Sequence, residues 1–303
     1  MSDIKAGNVV NPPAPQIRRL PAGSSSLCLH DAMNEDGTII LEDLLEPDVV
    51  SRINRELDPI MSEPNHGLMD AAIVGAGRRL NSSLRYSSTI VNFVAAHPVL
   101  IALAESFLLE HCDTLQIAAV HVSDIYPGEP AQSLHRDDYN WGHVKGRTHP
   151  LSITTIIALS EFSPITGGTR VAPGSHCWPD AYEASTRRDA WSEGIYAEKS
   201  YPPGVNEHHV VQPKLAPGSA LSVLGVTVHG AGANISVDVR RRGLVVSYCV
   251  GWIRATHANL LLYPPDVAKT FPLPVQRLLG YQLEAKHCGQ LEQGVDPITL
   301  LEG

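Results

Sequence analysis

The stretch Gln132-Ser133-Leu134-His135-Arg136-Asp137-Asp138 lies in the β-rich half of this 303-residue chain. On a strand, side chains at i and i+2 share a face, so His135 and Asp137 can meet one ion while Arg136 points away. A neutral imidazole beside a carboxylate is a borderline-hard ligand pair that suits iron(II) better than a thiolate-rich site does. Among 14 histidines, one His-x-Asp carries little weight by itself. His229 supplies the second half of the pattern. It follows the apolar run 221–228 and precedes Gly230-Ala231-Gly232-Ala233-Asn234, a strand end beside a glycine-rich turn with room for another group. Together, His135, Asp137 and His229 predict a facial triad with three coordination positions left open.

Eleven to thirteen residues later come Arg240, Arg241 and Arg242, opening the next strand at Leu244. Alternation predicts one arginine turned inward and two outward. An inward guanidinium offers a fork for a carboxylate. That matches the needs of 2-oxoglutarate, whose keto-acid end chelates iron while its distal carboxylate needs a cation.

Around these residues, short β-rich runs recur at 116–124, 152–158, 168–172, 220–224 and 244–250. Pro-Gly turns punctuate them, which predicts a β-sandwich or barrel. The first half is helical in character. Helices are expected over 29–35, from Glu46-Pro47-Asp48 until Pro59 ends the second, and over 97–110 entered at Pro98. Thr38 to Glu42 reads as a strand, residues 60–89 as a long loop, and 264–280 as a helical tail. Residues 1–26 are expected to be a surface tail and 27–303 a single domain.

Composition excludes several classes. The net charge is -9 and no basic stripe offsets it, so nucleic acid is not an expected partner. No stretch of about 18 apolar residues exists to span a membrane, and the N-terminus lacks the apolar core of a signal peptide. Five scattered cysteines without a CxxC predict reduced thiols and a cytoplasmic protein rather than a disulfide or zinc framework.

Five segments in order carry a family resemblance: 35–42, 132–137, 167–176, 229–234 and 248–254. With them the chain resembles the phytanoyl-CoA dioxygenase (PhyH-like) family, and within it the fungal natural-product oxygenases. The resemblance implies a mostly β protein with flanking helices around a double-stranded β-helix, the jelly-roll or cupin-like core. It implies iron(II) on His135, Asp137 and His229, with dioxygen as co-reactant. It also implies 2-oxoglutarate held by Thr169 and an arginine, with Gln132 nearby, and a homodimer. Strand parity groups Arg241 with Gly243, Val245 and Ser247, and small residues beside a cosubstrate favour that face. Arg241 is therefore the expected partner, with Arg240 kept as the alternative.

The substrate pocket is expected to draw on Asn81 and Ser82, and on Asp138, Tyr139, Asn140 and Trp141 after the His-x-Asp. No basic cluster marks an entrance for a polyphosphate, so a hydrophobic terpenoid or alkaloid fits better than an acyl-CoA. His176 follows a Pro-Gly-Ser turn and reads as structural, and His208-His209 as surface. Three rivals remain open. A halogenase would lack the carboxylate that Asp137 supplies. A cupin-like binding protein would hold metal without turnover. A zinc hydrolase would not need the arginine.

Overall fold

The computed structural model describes residues 15–62, 78–132, 134–144, 149–178 and 209–302. A seven-stranded sheet dominates it, built from β1 (Arg19–Pro21), β2 (Thr38–Glu42), β3 (Arg78–Leu80), β4 (Leu115–Ile125), β5 (Ser152–Ala158), β7 (Ala220–Leu224) and β9 (Arg241–Val250). The order across the sheet is β1-β2-β7-β5-β9-β4-β3, antiparallel except for the β1–β2 pair. A second sheet pairs β6 (Thr169–Val171) with β8 (His229–Ala231).

Both faces of the large sheet are buried, and the alternation of side chains sorts the core into two parts. Ile39, Leu41, Ile153, Ile157, Leu244, Val246 and Tyr248 belong to the cluster that also holds the helical residues. Their neighbours Ile40, Ile156, Ala158, Leu221 and Val223 face the other way. They meet Phe162, Leu215 and Val171 of β6, so the small sheet closes over the large one. The result is the sandwich-like core with flanking helices that the short strands predict.

The helices on the outer face are α1 (Ser26–Asp36), α2 (Pro47–Met61), α3 (Ser88–Phe93) and α4 (Pro98–Leu108). Ser25 caps α1 by accepting from the Cys28 N–H, and Gly37 ends it in the left-handed region at φ 71°. A Cβ on Gly37 would also meet the His176 ring at 2.4 Å, so glycine is needed twice over. Helix α2 buries Val49, Val50, Ile53, Leu57 and Met61 on one face. Short helices α5 (Asn259–Leu262), α6 (Pro265–Ala268) and α7 (Leu273–Leu278) form the helical tail.

Several sequence expectations need correction. Pro59 lies within α2, which runs on to Met61; a proline in the last turn removes only one helical hydrogen bond. Residues 63–77 of the expected loop 60–89 lie outside the described residues. The remainder is ordered as β3, a 3-10 turn at Ser83–Arg85 and the start of α3, because Arg78 to Leu80 pair with β4. Arg19 to Pro21, expected within the tail, form an edge strand on β2. The His-x-Asp segment is not a regular strand. His135 makes a single bridge to His229, and Asp137 opens a 3-10 turn through Trp141.

The three arginines also depart from the expected pattern, because two of them are buried. Arg240 is half-exposed and reaches Asp124 and Asp58 at 3.4 and 3.6 Å. Arg242 is fully buried on the helix side. It donates to both oxygens of Asp124 at 2.7 and 2.8 Å, and to Asp58 of α2 at 2.7 Å. Arg241 takes the opposite face, into the interior. A buried ion pair broken on one side leaves an uncompensated charge. Asp124→Ala is therefore expected to lower unfolding free energy by about 3 kcal/mol. Arg240→Ala is expected to cost under about 1 kcal/mol. Denaturant unfolding of the two variants checks the difference.

Candidate metal centre

His229 begins β8, and its partner across the bridge is His135. Their main chains exchange two hydrogen bonds, of 2.8 and 2.9 Å. Residues directly opposite in such a pair project to the same side. The two rings accordingly lie 4.7 Å apart by centroid at 45°. Asp137 follows, with its Oδ1 3.7 Å from His135 Nε2 and its Oδ2 3.8 Å from His229 Nε2. These separations exceed a hydrogen bond, so the lone pairs are not spent on one another. One ligand atom from each residue lies within 4.8 Å of the others. Two atoms bound to one ion at about 2.1 Å sit roughly 3–3.5 Å apart, so modest closure suffices.

The donor chemistry fits a metal. His229 Nδ1 lies 3.0 Å from the Thr227 carbonyl, which can only accept. The proton is therefore on Nδ1, and Nε2 offers its lone pair toward Asp137 and His135. Burial alone would raise the pKa of Asp137. The neighbouring His229 and His135, then the Thr154 hydroxyl and Arg79, overcome that and hold it below its ordinary value. The carboxylate is thus ionised at neutral pH, as a ligand must be. Two imidazoles and one carboxylate from one side of an ion leave its other side for small molecules.

Arg241 lies in the same interior. Its Cζ stands 4.0 Å over the Phe162 ring, and its Nε donates to the Gly167 carbonyl at 3.1 Å. No carboxylate among the described residues forms an ion pair with it. Burial pushes its pKa down to about 10, with the charges of Glu129 and Asp124 pulling back up. It remains a cation at pH 7. Gly243 makes this packing possible, since a Cβ there would meet Phe162 at 2.9 Å. Thr169 pairs with Ala231, two residues from His229, and shares the inward parity of Val171. Its hydroxyl makes no hydrogen bond among the described residues. Gln132 accepts from the Ala231 N–H at 3.2 Å, which brings its amide beside β8.

The expected substrate residues divide. Asp138 is fully buried, and its carboxylate accepts from the Leu151 N–H at 2.8 Å and the Ser152 hydroxyl at 2.7 Å. Its reading as a substrate contact is corrected: it pins the ligand segment to β5. Trp141 donates to the Arg254 carbonyl and packs against the helix-side core. Asn140 donates to the Asp137 carbonyl, closing the 3-10 turn. Asn81 accepts from Arg79 Nε at 3.0 Å. Ser82 precedes the 3-10 turn at Ser83–Arg85 without capping it by its side chain. The glycine-rich turn is not open either: a Cβ on Gly232 would meet Gln212 and the Gly168 carbonyl. His176 lies 3.1 Å from the Asn34 carbonyl, and His208 lies outside the described residues.

Sequence reading missed Arg79, His121, Thr154 and Ser247. Arg79 reaches His121 Nδ1 at 3.1 Å, and His257 stands 5.9 Å from His121 by ring centroid. Arg79 already counts electrostatically at Asp137. A usable signal was present: each of His121, Thr154 and Ser247 is a polar residue on a buried strand at interior-facing parity.

Comparison with known proteins agrees with this geometry. Residues 33–243 match the family described as phytanoyl-CoA dioxygenase (PhyH), and the chain belongs to that family. The multifunctional dioxygenase prhA of Penicillium brasilianum is 27% identical, over 90% of this chain and 89% of its own. The multifunctional dioxygenase ausE of the same species is 28% identical, over 92% and 90%. Among solved structures, the epimerase SnoN in complex with Fe3+, alpha ketoglutarate and nogalamycin RO aligns with TM-score 0.55 at 20% identity, covering 78% of this chain and 89% of that one. That likeness shows the shared fold. Among the described residues no helix is long and apolar enough to cross a membrane.

The histidines flanking Arg79 generate a pH prediction. Burial, then the Arg79 charge, pushes His257 down to about 4 from 6.5. Burial likewise holds His121 well below its ordinary value, helped by Arg79 and His257. Unfolded histidine takes up a proton near 6.5, while the folded group does not, so stability falls as pH drops from about 6.5 toward 4. His257 is expected to account for up to about 2 kcal/mol of the loss between pH 7 and 5. His257→Gln should flatten that slope in denaturant melts at the two pH values. A variant as acid-sensitive as its parent would refute the assignment.

Proposed function

We propose that this protein is an iron(II)- and 2-oxoglutarate-dependent dioxygenase that oxidises a hydrophobic secondary metabolite. One juxtaposition carries the reading: a two-histidine, one-carboxylate set shares one interior with a buried arginine that has no ion-pair partner among the described residues. His135, Asp137 and His229 would hold the iron. The bound metal with 2-oxoglutarate supplies oxidation by dioxygen of an unactivated C–H bond, releasing succinate and carbon dioxide.

The protein's own part is positioning and exclusion of water. Arg241 would receive the distal carboxylate of 2-oxoglutarate. A buried cation without a carboxylate carries an uncompensated desolvation cost that a bidentate anion relieves. Phe162 keeps the guanidinium in place from below, and Gly167 orients its Nε. The Thr169 hydroxyl, without a hydrogen bond among the described residues, lies on the strand paired with that of His229, and the Gln132 amide lies alongside. Arg240 is already committed to Asp124 and Asp58 at the helix side, which favours Arg241. The apolar lining from Ile156, Phe162 and Val171 keeps the interior dry.

The substrate class rests on likeness. The dioxygenases prhA and ausE and the nogalamycin-pathway enzymes SnoN and SnoK are what this chain is similar to. A terpenoid or alkaloid scaffold suits an apolar interior, and hydroxylation, desaturation, epoxidation or rearrangement are outcomes open to such a site. A homodimer belongs to the same reading, and light scattering of the purified protein tests it.

Purified protein with iron(II) and 2-oxoglutarate is expected to release succinate, stimulated by its substrate from a terpenoid and alkaloid panel. Chelation of the iron, or Asp137→Ala, should abolish release; full turnover by Asp137→Ala would sink the reading. Metal binding without 2-oxoglutarate turnover would instead favour a non-catalytic binding protein. Arg241→Ala is expected to raise the KM for 2-oxoglutarate at least about 30-fold, the effect of truncating one partner of a buried charge pair. Arg240→Ala should stay within about twofold. Steady-state kinetics at varied 2-oxoglutarate separates the two arginines.

A further inference from the structure

The carboxylate of Asp137 is not held by its own segment. Asp137 begins a 3-10 turn, and its Oδ1 accepts no hydrogen bond among the described residues. Its Oδ2 does: the Thr154 hydroxyl lies 2.5 Å away, a separation typical of a hydroxyl donating to a charged oxygen. Thr154 stands at the centre of the large sheet, on β5 between β7 and β9. Its partner directly opposite on β9 is Ser247, whose hydroxyl lies 2.9 Å from that of Thr154.

The direction of this chain follows from counting protons. Thr154 has one hydroxyl hydrogen and two neighbouring acceptors. The ionised carboxylate is the stronger acceptor and the shorter contact, so the hydrogen goes to Asp137. In the contact with Ser247 the Thr154 hydroxyl is again the donor, so Ser247 is a second, weaker acceptor for the same hydrogen. Asp137 and Ser247 thus hold the Thr154 hydroxyl from two sides, with the carboxylate as its main acceptor. Thr154 and Ser247 are 3% and 7% exposed, so water cannot readily replace either hydroxyl. The neighbouring Thr155 has opposite parity and bonds to Ser222 on the helix side, so the polar contact to Asp137 is a property of this position alone.

We propose that Thr154, backed by Ser247, is a positioning residue for the metal centre. By occupying one oxygen of Asp137, it sets the carboxylate to offer the ion a single oxygen. That preserves the open positions that the proposed dioxygenase chemistry requires. The inference rests on the metal reading of His135, Asp137 and His229. It adds that the rigidity of the ligand carboxylate comes from the middle of the sheet rather than from its own turn.

Cobalt(II) serves as the probe, because its visible ligand-field bands report both affinity and coordination number without turnover. The wild-type protein is expected to bind one ion. Thr154→Val removes the hydroxyl while keeping the shape, and should weaken binding about 10- to 100-fold and change the band intensity, the size of effect typical of losing a hydrogen bond to a ligand. Thr154→Ser, which keeps the donor, should restore both affinity and spectrum. A purely structural role would instead lower the melting temperature of the metal-free protein and leave affinity and spectrum alone. Wild-type affinity with an unchanged spectrum in Thr154→Val overturns the proposal and leaves the metal centre standing. Failure of the wild type to bind the ion removes both. Should Thr154→Val not fold, Thr154→Ala carries the test. It should weaken binding as Thr154→Val does, and wild-type affinity with an unchanged spectrum there overturns the proposal equally.

Discussion

The buried pair between Arg242 of β9 and Asp124 of β4 is the constraint from which the interior follows. Consecutive strand residues point to opposite faces, so committing Arg242 to the helix side commits Arg241 to the interior. The two-point contact with Asp124, at 2.7 and 2.8 Å, also guards the register of β4 on β9. A slip of one residue would bring Arg242 inside and strand Asp124 among the helices without its cation. Burying two charges for this purpose is costly on its own. Asp58 and Asn54 of α2 supply the remaining acceptors and tie the helical layer to the same point.

The same alternation distributes polar chemistry across the sheet. Ser247, Val245, Gly243 and Arg241 form one continuous inward row on β9. Thr154, Ile156 and Ala158 form the facing row on β5. The row begins at the carboxylate of Asp137 and ends at the guanidinium of Arg241, with apolar and small residues between. A cosubstrate with a metal-binding end and a carboxylate end has that same polarity. The framework thus orders charge along a strand, whereas the ligands themselves come from short, irregular segments. A rigid sheet carrying chemistry on its edges and connecting turns is a common division of labour.

Adjacent residues with similar chemistry end in different roles. Asp137 and Asp138 are both carboxylates on one 3-10 turn. Asp138 turns into the framework and accepts from Leu151 and Ser152, while Oδ1 of Asp137 accepts no hydrogen bond among the described residues. Thr154 and Thr155 divide in the same way, one toward Asp137 and one toward Ser222. In each pair, one member bonds into the framework while the other belongs to the interior. Pairing by neighbours, and not residue type, separates structure from chemistry here.

Much of this was legible in the chain itself. Period-two patterns between Pro-Gly turns determine the strands, and apolar residues at helical spacing determine α2 and α4, because burial of one face is a local property of sequence. The residue types at His135, Asp137 and His229, and the parity that separates Arg241 from Arg240 and Arg242, are equally local. Tertiary structure decided what depends on contacts between distant segments. It paired His135 with His229, 94 positions further along the chain, by a single bridge rather than a strand. It buried Arg242 as well as Arg241, carried α2 through Pro59, and turned Asp138 and Trp141 into framework. It also brought Arg79, His121, Thr154 and Ser247 toward the metal centre. No local pattern specifies these, because a hydrogen bond or ion pair exists only once the fold has placed both partners and removed the water that would otherwise satisfy them.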